Sequence, residues 1–311
     1  MRKTLNLILI IGTILAVAAC APQVTPSPTP SPKAELTGTI VLGDIDEDDP
    51  IAKIQEFQPI ADYLAKNLSD FGIGRGEVKI APDVDTMISL VKSGEVDIYY
   101  DSLYPAMIIA NTTGAQPLIR GWRGGEPVYH SVFFVLKDSG ISSLEDLNGK
   151  IVAYDDASST SGYMMPTSYL ISHGLNPVEK ESTEAVVAKD EVGYVFSGGD
   201  ENTIEWVLSG RVEIGVIDNL TFMADISETT RDSLVVIAET EEVPRRIIIV
   251  APDIEPELAS ALSGILMGMD ETEAGRPLLE IVNTLQFDEF PGGTDAVFDP
   301  IQKMFDIVAN R

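Results

Sequence analysis

A run of four hydroxyl residues followed by a glycine is the part of this chain whose residue types most directly suggest chemistry. The segment 155–162 (DDASSTSG) lies between a predicted strand at 151–154 and a predicted helix at 162–173. At a helix start the first backbone N–H groups are free, and hydroxyls add donors beside the positive end of the helix dipole. Such a helix start can bind an anion without any formal positive charge. A plain N-cap needs a single Ser or Thr, so four hydroxyls favour an anion site over simple capping.

Polar side chains also follow the predicted strand at 96–100. Ser102 and Tyr104 come just after it, at the carboxyl end, where open α/β sheets place their ligands. Tyr100 belongs to the strand itself, and the alternation of side chains along a strand leaves it either a core residue or a site residue. The sequence therefore predicts a second group of hydroxyls at a ligand site.

Three charged residues near these segments each have two interpretations. Arg120 and Arg123 could grip an oxyanion as a fork, but structural ion pairs are favoured in so acidic a chain. Asp218 follows a predicted strand at 214–217, and it either caps Thr221 or accepts a hydrogen bond from a protonated ligand oxygen. In the second role its carboxylate would repel a fully ionised anion such as sulfate.

The composition excludes several classes of function. Of 311 residues 44% are hydrophobic, enough for a large core or two smaller ones, and the net charge is −28. Nucleic-acid binding needs clustered Lys and Arg, so no nucleic-acid partner is expected. With only His130, His173 and Cys20, the chain cannot form a histidine–cysteine metal cluster or an internal disulfide, and we expect neither a metal nor a cofactor.

The N-terminus carries a targeting pattern. Two basic residues and an apolar run at 5–17 lead to small residues and then Cys20. The run is short for a membrane span and typical of a cleaved signal peptide. Its end resembles the lipobox of bacterial lipoproteins, with a chance cysteine after an ordinary signal peptide as the alternative. We expect a lipoprotein signal peptide at 1–19, lipidation of Cys20, and a Pro/Ser/Thr-rich tether at 20–36 that places the protein outside the cell membrane.

Strands alternate with helices twice along the rest of the chain, which indicates a two-lobed α/β fold. The pattern assigns 37–128 and 245–311 to lobe 1 and 129–244 to lobe 2, each a mixed, mainly parallel sheet flanked by helices. No Pro-, Gly- or Ser-rich linker separates them, which favours closely joined lobes with crossings near 127–131 and 241–245.

Some predictions concern the crossings and the ends of elements. Tyr129 and His130 lie at the first crossing, where a hinge residue could touch a bound ligand; for His130 a hydrogen-bonded polar role in the hinge is favoured. The segment 72–76 (GIGRG) lacks the strand–helix context of a dinucleotide-binding loop and predicts a turn. The last helix is predicted at 299–308, beginning at an Asp-Pro pair.

The segment SSTSGYMMP resembles the STSGY-x-x-P signature of the phosphate-, phosphonate- and phosphite-binding proteins of ABC importers. The resemblance continues through DIYYDSLYPAM, KDEVGYVFSGGDEN and RVEIGVIDN, and it covers the chain from about residue 37 onward. It implies a type II periplasmic-binding-protein fold, whose two lobes close around a ligand, and an ABC permease as partner. The contacts that it implies for the oxyanion are Ser159, Thr160 and Ser161 in lobe 2, Ser102 and Tyr104 in lobe 1, and Asp218.

Two loops are unusual for that family. Asp200 stands where a histidine commonly follows the glycines of SGGD, which leaves a ligand contact from this loop open. The loop at 44–50 (DIDEDDP) is strongly acidic; binding of an amine on an aminophosphonate, binding of a cation and simple solvation are the alternatives, and solvation is favoured.

The sequence therefore predicts a monomeric, lipid-anchored solute-binding protein that captures phosphate, phosphite or a phosphonate for an ABC importer. A binding protein for another small anion, such as a sulfonate or a carboxylate, is the alternative. A phosphate-ester enzyme is less favoured, because no Ser/His/Asp or Cys/His set is identifiable. A lipoprotein scaffold without a small ligand is the third alternative.

Overall fold

The computed structural model describes residues 36–310, and the predicted signal peptide, Cys20 and nearly all of the predicted tether lie outside the described residues. The strands are β1 (Gly38–Ile45), β2 (Ile73–Ala81), β3 (Ile98–Asp101), β4 (Gln116–Arg123), β5 (Val128–Tyr129), β6 (Ser131–Leu136), β7 (Ile151–Tyr154), β8 (Pro177–Glu179), β9 (Val192–Phe196), β10 (Ile214–Asp218), β11 (Leu234–Glu239), β12 (Val243–Pro244), β13 (Arg246–Val250) and β14 (Thr284–Asp288). The α-helices are α1 (Pro50–Asn67), α2 (Val84–Lys92), α3 (Leu103–Thr113), α4 (Met165–Ser172), α5 (Asp200–Leu208), α6 (Asn219–Ala224), α7 (Glu228–Arg231), α8 (Pro256–Met267), α9 (Arg276–Ile281) and α10 (Thr294–Ala309). A π-helical turn at Thr160–Met164 runs directly into α4. Within residues 36–310, no helix is both long and apolar enough to cross a membrane.

The first six-stranded sheet combines strands from both ends of the described chain. Its order is β14-β4-β13-β3-β1-β2. β1 pairs in parallel with β2 and β3, and antiparallel pairs join β3, β13, β4 and β14 in turn. The buried positions of α1 follow the helical spacing i, i+3, i+4, i+7, i+8: Phe57, Ile60, Ala61, Leu64 and Ala65. The helix thus buries one apolar stripe in the cluster that also contains residues of β1 and β3.

The second six-stranded sheet is built from the middle of the chain. Its order is β11-β6-β10-β7-β9-β8. β7 pairs in parallel with β9 and β10, and β6 pairs antiparallel with β10 and β11. Neighbouring side chains of β6 point to opposite faces, so Phe133 and Phe134 belong to different apolar clusters. Both faces are therefore covered, which explains why β6 is a continuous apolar run.

The chain crosses between the two sheets twice, and the two crossings lie side by side. β5 and β12 pair antiparallel as a separate two-stranded ribbon, at the positions predicted for the crossings. One apolar cluster extends across both lobes, since it holds Leu103 and Ile301 from the first lobe together with Met164 and Met165 from the second. The lobes thus share a continuous packed region, which includes Tyr129 and Val243 of the ribbon.

The glycine-rich segment that predicted a turn belongs mostly to β2. Only Gly72, at φ 74°, forms a turn, and the strand beginning at Ile73 pairs along β1. A Cβ atom on Gly76 would lie 2.2 Å from the backbone of Ala61 in α1. The predicted turn is wrong because the glycine at 76 serves close packing of a helix on the strand.

The last helix begins earlier than predicted. α10 starts at Thr294, directly after Gly293 with its φ of 90°, and Pro300 lies inside the helix. The Asp-Pro pair therefore does not mark the helix start, and the turn that ends at Gly293 does.

Candidate ligand-binding site

A cavity of about 310 Å³ lies between the two lobes and takes its lining from both. The carboxyl ends of β1, β3, β7 and β10 supply Ile45, Asp101, Asp155 and Asp218. The topology of both sheets thus directs these strand ends to one place, where α/β proteins bind ligands.

The hydroxyl run forms the start of the π-helical turn and lines this cavity. Ser159 Oγ accepts a hydrogen bond from Gly162 N at 3.0 Å, and the N–H of Met164 donates to Ser159 O at 3.1 Å. Within the described part of the chain, the N–H groups of Thr160 and Ser161 make no hydrogen bond, as expected at a helix start. Two adjacent backbone donors therefore remain available at the cavity, where an anion could accept from them.

Only glycine fits at position 162 in this turn. A Cβ atom there would lie 2.3 Å from Asp155 Cβ and 2.9 Å from Ser159 Oγ. The glycine of the motif is thus needed for the close approach of the turn to the end of β7.

The first lobe contributes a second helix start. Ser102 is the N-cap of α3, makes no side-chain capping hydrogen bond and lines the cavity. The backbone N–H of Tyr104, in the first turn of α3, donates to Thr160 Oγ1 at 2.8 Å. This hydrogen bond joins the two lobes, so the two helix starts meet at the cavity.

Tyr129 in the ribbon adds a hydroxyl to the same place. Its hydroxyl makes hydrogen bonds with the side chains of Thr160 and Ser161, and burial raises the pKa of Tyr129 to about 12. Tyr129 therefore stays protonated and remains a hydrogen-bond donor at physiological pH. The hydroxyl of Ser131 donates to Ser161 O at 2.7 Å and so helps to fix the π-helical turn.

Arg123, Arg245 and Arg246 line the cavity, and they differ in their partners. Among the described residues Arg123 forms no ion pair, so the ion pair favoured for it from the sequence is wrong. Arg245 Nη1 lies 3.2 Å from Asp218 Oδ1, and the guanidinium lies 5.0 Å from the centre of the Tyr129 ring. Arg246 forms an ion pair with Asp101. Among residues 36–310, Arg245 Nε is buried without a hydrogen-bond partner, a donor that a ligand oxygen could satisfy.

Asp218 takes the first of the two roles that the sequence left open, the capping of Thr221. It caps α6 by accepting from Leu220 N at 2.9 Å and Thr221 N at 3.1 Å, and Thr221 Oγ1 donates to its other oxygen at 2.6 Å. It also lines the cavity, at the end of β10.

The far side of the cavity is acidic. Burial, with the nearby charge of Asp155 as the next cause, raises the pKa of Asp200 from 3.8 to about 7. Burial also raises the pKa of Asp155, and the adjacent charge of Asp156 adds to that effect. Within residues 36–310, no three His, Cys, Asp or Glu side chains are grouped so that they could hold a metal ion.

Of the predicted site residues, the structure brings six to the cavity: Ser102, Tyr129, Ser159, Thr160, Ser161 and Asp218. Tyr104 contributes its backbone N–H at the interlobe contact, while its ring packs between Tyr163 and Phe305. Its side-chain hydroxyl is thus not among the groups that line the cavity.

Tyr100 and His130 lie outside the cavity. The Tyr100 hydroxyl hydrogen-bonds Thr284 Oγ1 at 2.8 Å in the core of the first lobe, which supports the core interpretation of this residue. The backbone N–H of His130 donates to Asn219 Oδ1 at 3.1 Å, and among the described residues its buried Nδ1 has no partner. Arg120 makes the ion pair favoured for it, with both carboxylate oxygens of Asp288 at 2.7 and 2.8 Å.

Sequence reasoning missed most of the charged lining. Asp101 is the last residue of β3, and Asp155 directly follows β7. Arg245 and Arg246 directly follow β12, at the second crossing. Their position at strand ends was the available signal, but it does not tell which of several consecutive charged residues turns inward.

Comparison with known proteins points to one family. Residues 48–294 match the family model described as ABC transporter, phosphonate, periplasmic substrate-binding protein. The phosphate-import protein PhnD of Mycolicibacterium smegmatis (strain ATCC 700084 / mc(2)155) is 27% identical over 213 residues, which cover 65% of this chain. The matched part spans 64% of that relative's own length.

Several solved structures are similar to this chain. XAC2383 from Xanthomonas citri, bound to chloride ion, is 28% identical with a TM-score of 0.79, and the match covers 88% of this chain and 98% of that one. The ATP-bound structure of XAC2383 is 26% identical with the same TM-score, covering 88% of this chain and 97% of that one. PhnD1 from Prochlorococcus marinus (MIT 9301), in complex with methylphosphonate, shares the fold at 18% identity and a TM-score of 0.62, with coverage of 88% and 99%.

The raised pKa of Asp200 makes stability depend on pH. A carboxyl whose pKa is about 7 when folded and near 3.8 when unfolded contributes stability that is fully present below pH 3.8 and is lost as pH rises to about 7. Asp200→Asn should therefore raise the melting temperature by an amount that grows from about pH 4 to about pH 7 and then levels off.

Thermal unfolding of both proteins across that range, without ligand, tests this expectation. Asp138→Asn, at an exposed aspartate on the surface, is the matched control and should show no such trend. A stability difference for Asp200→Asn that does not change with pH would contradict the proposed electrostatic cause.

Proposed function

The chain belongs to the family of phosphonate-binding periplasmic substrate-binding proteins of ABC transporters, and from that premise we propose that it captures a small phosphorus oxyanion between its lobes for import. The observation that carries the proposal is the meeting of two helix starts, from different lobes, at one cavity. The phosphate-import relative and the methylphosphonate-bound neighbour of the same fold support the choice of a phosphorus ligand.

The oxyanion is held chiefly by neutral donors. The free N–H groups of Thr160 and Ser161 and the hydroxyls of Ser102, Tyr129 and Ser161 converge on the cavity, and Arg245 Nε adds a charged donor. Each donor is oriented before the ligand arrives, so binding requires little ordering of side chains. The helix dipoles of the two starts favour negative charge at the point where they meet.

The carboxylates of the cavity select for a ligand that carries a proton. Five aspartates and three arginines line it, so a fully ionised anion meets excess negative charge. A protonated phosphate or phosphonate oxygen is a hydrogen-bond donor, and the oxygen of Asp218 that accepts only from Thr221 Oγ1 can accept from it. This arrangement disfavours sulfate, which has no proton to donate near neutral pH.

Binding couples to closure of the lobes about the ribbon of β5 and β12. Donors from both lobes reach one ligand only when the cavity is closed, so the ligand stabilises the closed arrangement by its differential affinity. We infer that the protein then presents the ligand to an ABC permease. Its role is binding rather than catalysis, so it should release no phosphate from a generic phosphate ester.

The affinity for phosphorus oxyanions should depend on the hydroxyl run. In calorimetric titrations with phosphate, phosphite, methylphosphonate and sulfate, we expect measurable binding of at least one phosphorus ligand and none of sulfate. Ser161→Ala should weaken the tightest of them about ten- to hundredfold, the effect of losing a charge-assisted hydrogen bond of about 1.5–3 kcal/mol.

Ser227→Ala is the matched control, because Ser227 also caps a helix, accepting from Thr230 N at 3.2 Å, but lies outside the cavity lining. It should leave the affinity unchanged. Equal binding of sulfate or of a sulfonate or carboxylate would favour the alternative anions, and unaltered affinity of Ser161→Ala would place the ligand elsewhere.

We propose that the mature protein is a monomer anchored outside the cell membrane by lipid on Cys20. The support is the sequence pattern before this cysteine, the only one in the chain. Cys20→Ser should prevent lipidation and shift the protein from the membrane fraction to the soluble fraction or to an unprocessed precursor. Fractionation with immunoblotting measures this, and unchanged membrane partitioning of the variant would contradict the anchor.

A further inference from the structure

A cavity of about 520 Å³ lies at the crossings between the lobes, and we call it the hinge cavity. Val128 and its partner Pro244 line the hinge cavity, whereas the residues that follow them, Tyr129 and Arg245, line the ligand cavity. Neighbouring side chains of a strand point to opposite faces, and among residues 36–310 none lines both cavities. The hinge cavity is thus a separate site on the other face of the ribbon.

Both lobes build the hinge cavity, and its floor is buried. Met165 and Ser168 of α4 come from the second lobe, Ile301 of α10 comes from the first, and Val243 belongs to the ribbon. Each of these four side chains is at most 3% exposed. The hinge cavity therefore reaches the apolar cluster that the lobes share, and its volume lies within the roughly 300–1,000 Å³ of small-molecule pockets.

One polar side chain in this floor has no partner. Ser168 is 3% exposed, and within the described part of the chain its hydroxyl makes no hydrogen bond. A serine inside a helix can donate to the carbonyl four residues earlier, but Ser168 does not. Because buried polar groups are normally paired, this hydroxyl is a donor and acceptor that a bound molecule would satisfy.

The rim of the hinge cavity is acidic. Glu241 and Glu242 are exposed there, and among residues 36–310 neither forms an ion pair. Of the basic residues in the lining, Arg120 is paired with Asp288 and Lys303 is exposed on α10. The two free carboxylates thus outnumber the one exposed lysine.

The aromatic side of the hinge cavity lies in the field of these carboxylates. Tyr169 packs against His173, with ring centroids 4.2 Å apart, and both line the cavity. Burial raises the pKa of Tyr169, and the charges of Glu241 and Glu239 raise it further. A positive group at this end would therefore be stabilised, and the net charge of −28 attracts cations from solution.

We propose that the hinge cavity is a second binding site, for a small organic cation whose apolar body lies on the buried floor. Its ammonium group lies at Glu241 and Glu242, and the Ser168 hydroxyl supplies a hydrogen bond. This site does not depend on the proposed function.

Two hydrogen bonds connect the hinge cavity to the hydroxyl run. The N–H of Ser131 donates at 3.0 Å to Thr240 Oγ1, in the cavity lining, and Ser131 Oγ donates to Ser161 O at 2.7 Å. Since α4 and α10 belong to different lobes, the cavity has this shape only while the lobes meet at the hydrogen bond from Tyr104 N to Thr160 Oγ1. An occupant thus stabilises the closed arrangement and, given the proposed function, raises the affinity for the phosphorus ligand.

Tryptamine, tryptophol and indole-3-propionate are suitable probes for calorimetry on the mature protein, because they share one apolar body and differ in charge. Tryptamine should bind about tenfold or more tighter than tryptophol, the scale of a hydrogen bond to a charged group, and indole-3-propionate should bind most weakly. Glu241→Gln combined with Glu242→Gln should remove the advantage of tryptamine over tryptophol. Glu181→Gln combined with Glu184→Gln removes the same charge at exposed positions outside the lining, and this control should keep that advantage.

A pair of tryptophan variants on α10 locates the site. Ala296→Trp, at an exposed position in the lining, should weaken tryptamine about tenfold or more, the scale of steric misfit in a pocket. Ala309→Trp, exposed on the same helix but outside the lining, should not weaken it. If Ala296→Trp unfolds at a lower temperature than wild type, Ser172→Trp at the exposed end of α4 replaces it with the same expected result.

Saturating tryptamine should tighten the binding of phosphate or methylphosphonate about fivefold or more, and that ligand should tighten tryptamine by the same factor. Equal affinities for tryptamine and indole-3-propionate would overturn the cation site, and so would unchanged tryptamine affinity in the tryptophan variant of the lining. Tryptamine binding that leaves the affinity for phosphorus ligands unchanged would overturn the coupling. Binding of no phosphorus ligand at all would overturn the proposed function, whereas the tryptamine titrations would still decide the hinge cavity.

Discussion

In a protein of net charge −28, the negative charge of a bound anion must be stabilised by groups close to the anion, because the rest of the molecule repels it. The cavity meets this constraint with two helix starts, whose free N–H groups and dipoles act only at short range. Two of the three arginines that line the cavity are paired within the protein: Arg245 pairs with Asp218, and Arg246 pairs with Asp101. What the ligand meets is thus a set of oriented dipoles, with few uncompensated cations.

The architecture follows from the need to bring those helix starts together. β3 leads into α3 in the first lobe, and β7 leads through the hydroxyl run into the π-helical turn in the second. The hydrogen bond from Tyr104 N to Thr160 Oγ1 exists only because the ribbon of β5 and β12 and the shared apolar cluster hold the lobes face to face. Gly162 allows the turn to approach β7, so a single Cβ atom there would disturb the donors that face the ligand.

The sequence predicted the family and its two-lobed type II fold, and both are confirmed. It also located the hydroxyl run, since local capping rules and the dipole act within one turn of the chain. Strands and side chains that depend on distant parts of the chain were harder to predict. β4 and β14 carry charged residues and a proline among apolar ones, so their pattern is not that of a buried strand. The charged residues instead pair with each other across the two strands, Arg120 in β4 with Asp288 in β14. Whether Tyr100 faced the core or the site depended on Thr284, which lies 184 positions away in the sequence. Arg245 and Asp200 reach the cavity through the packing of the two lobes, which no local pattern encodes.

The most direct test of the account is a crystal structure of the mature protein with its tightest-binding phosphorus oxyanion. We expect the phosphorus atom between the lobes, with ligand oxygens within hydrogen-bonding distance of the N–H groups of Thr160 and Ser161 and of the Ser102 hydroxyl. A ligand bound to one lobe only, or held mainly by arginine side chains away from the two helix starts, would contradict it.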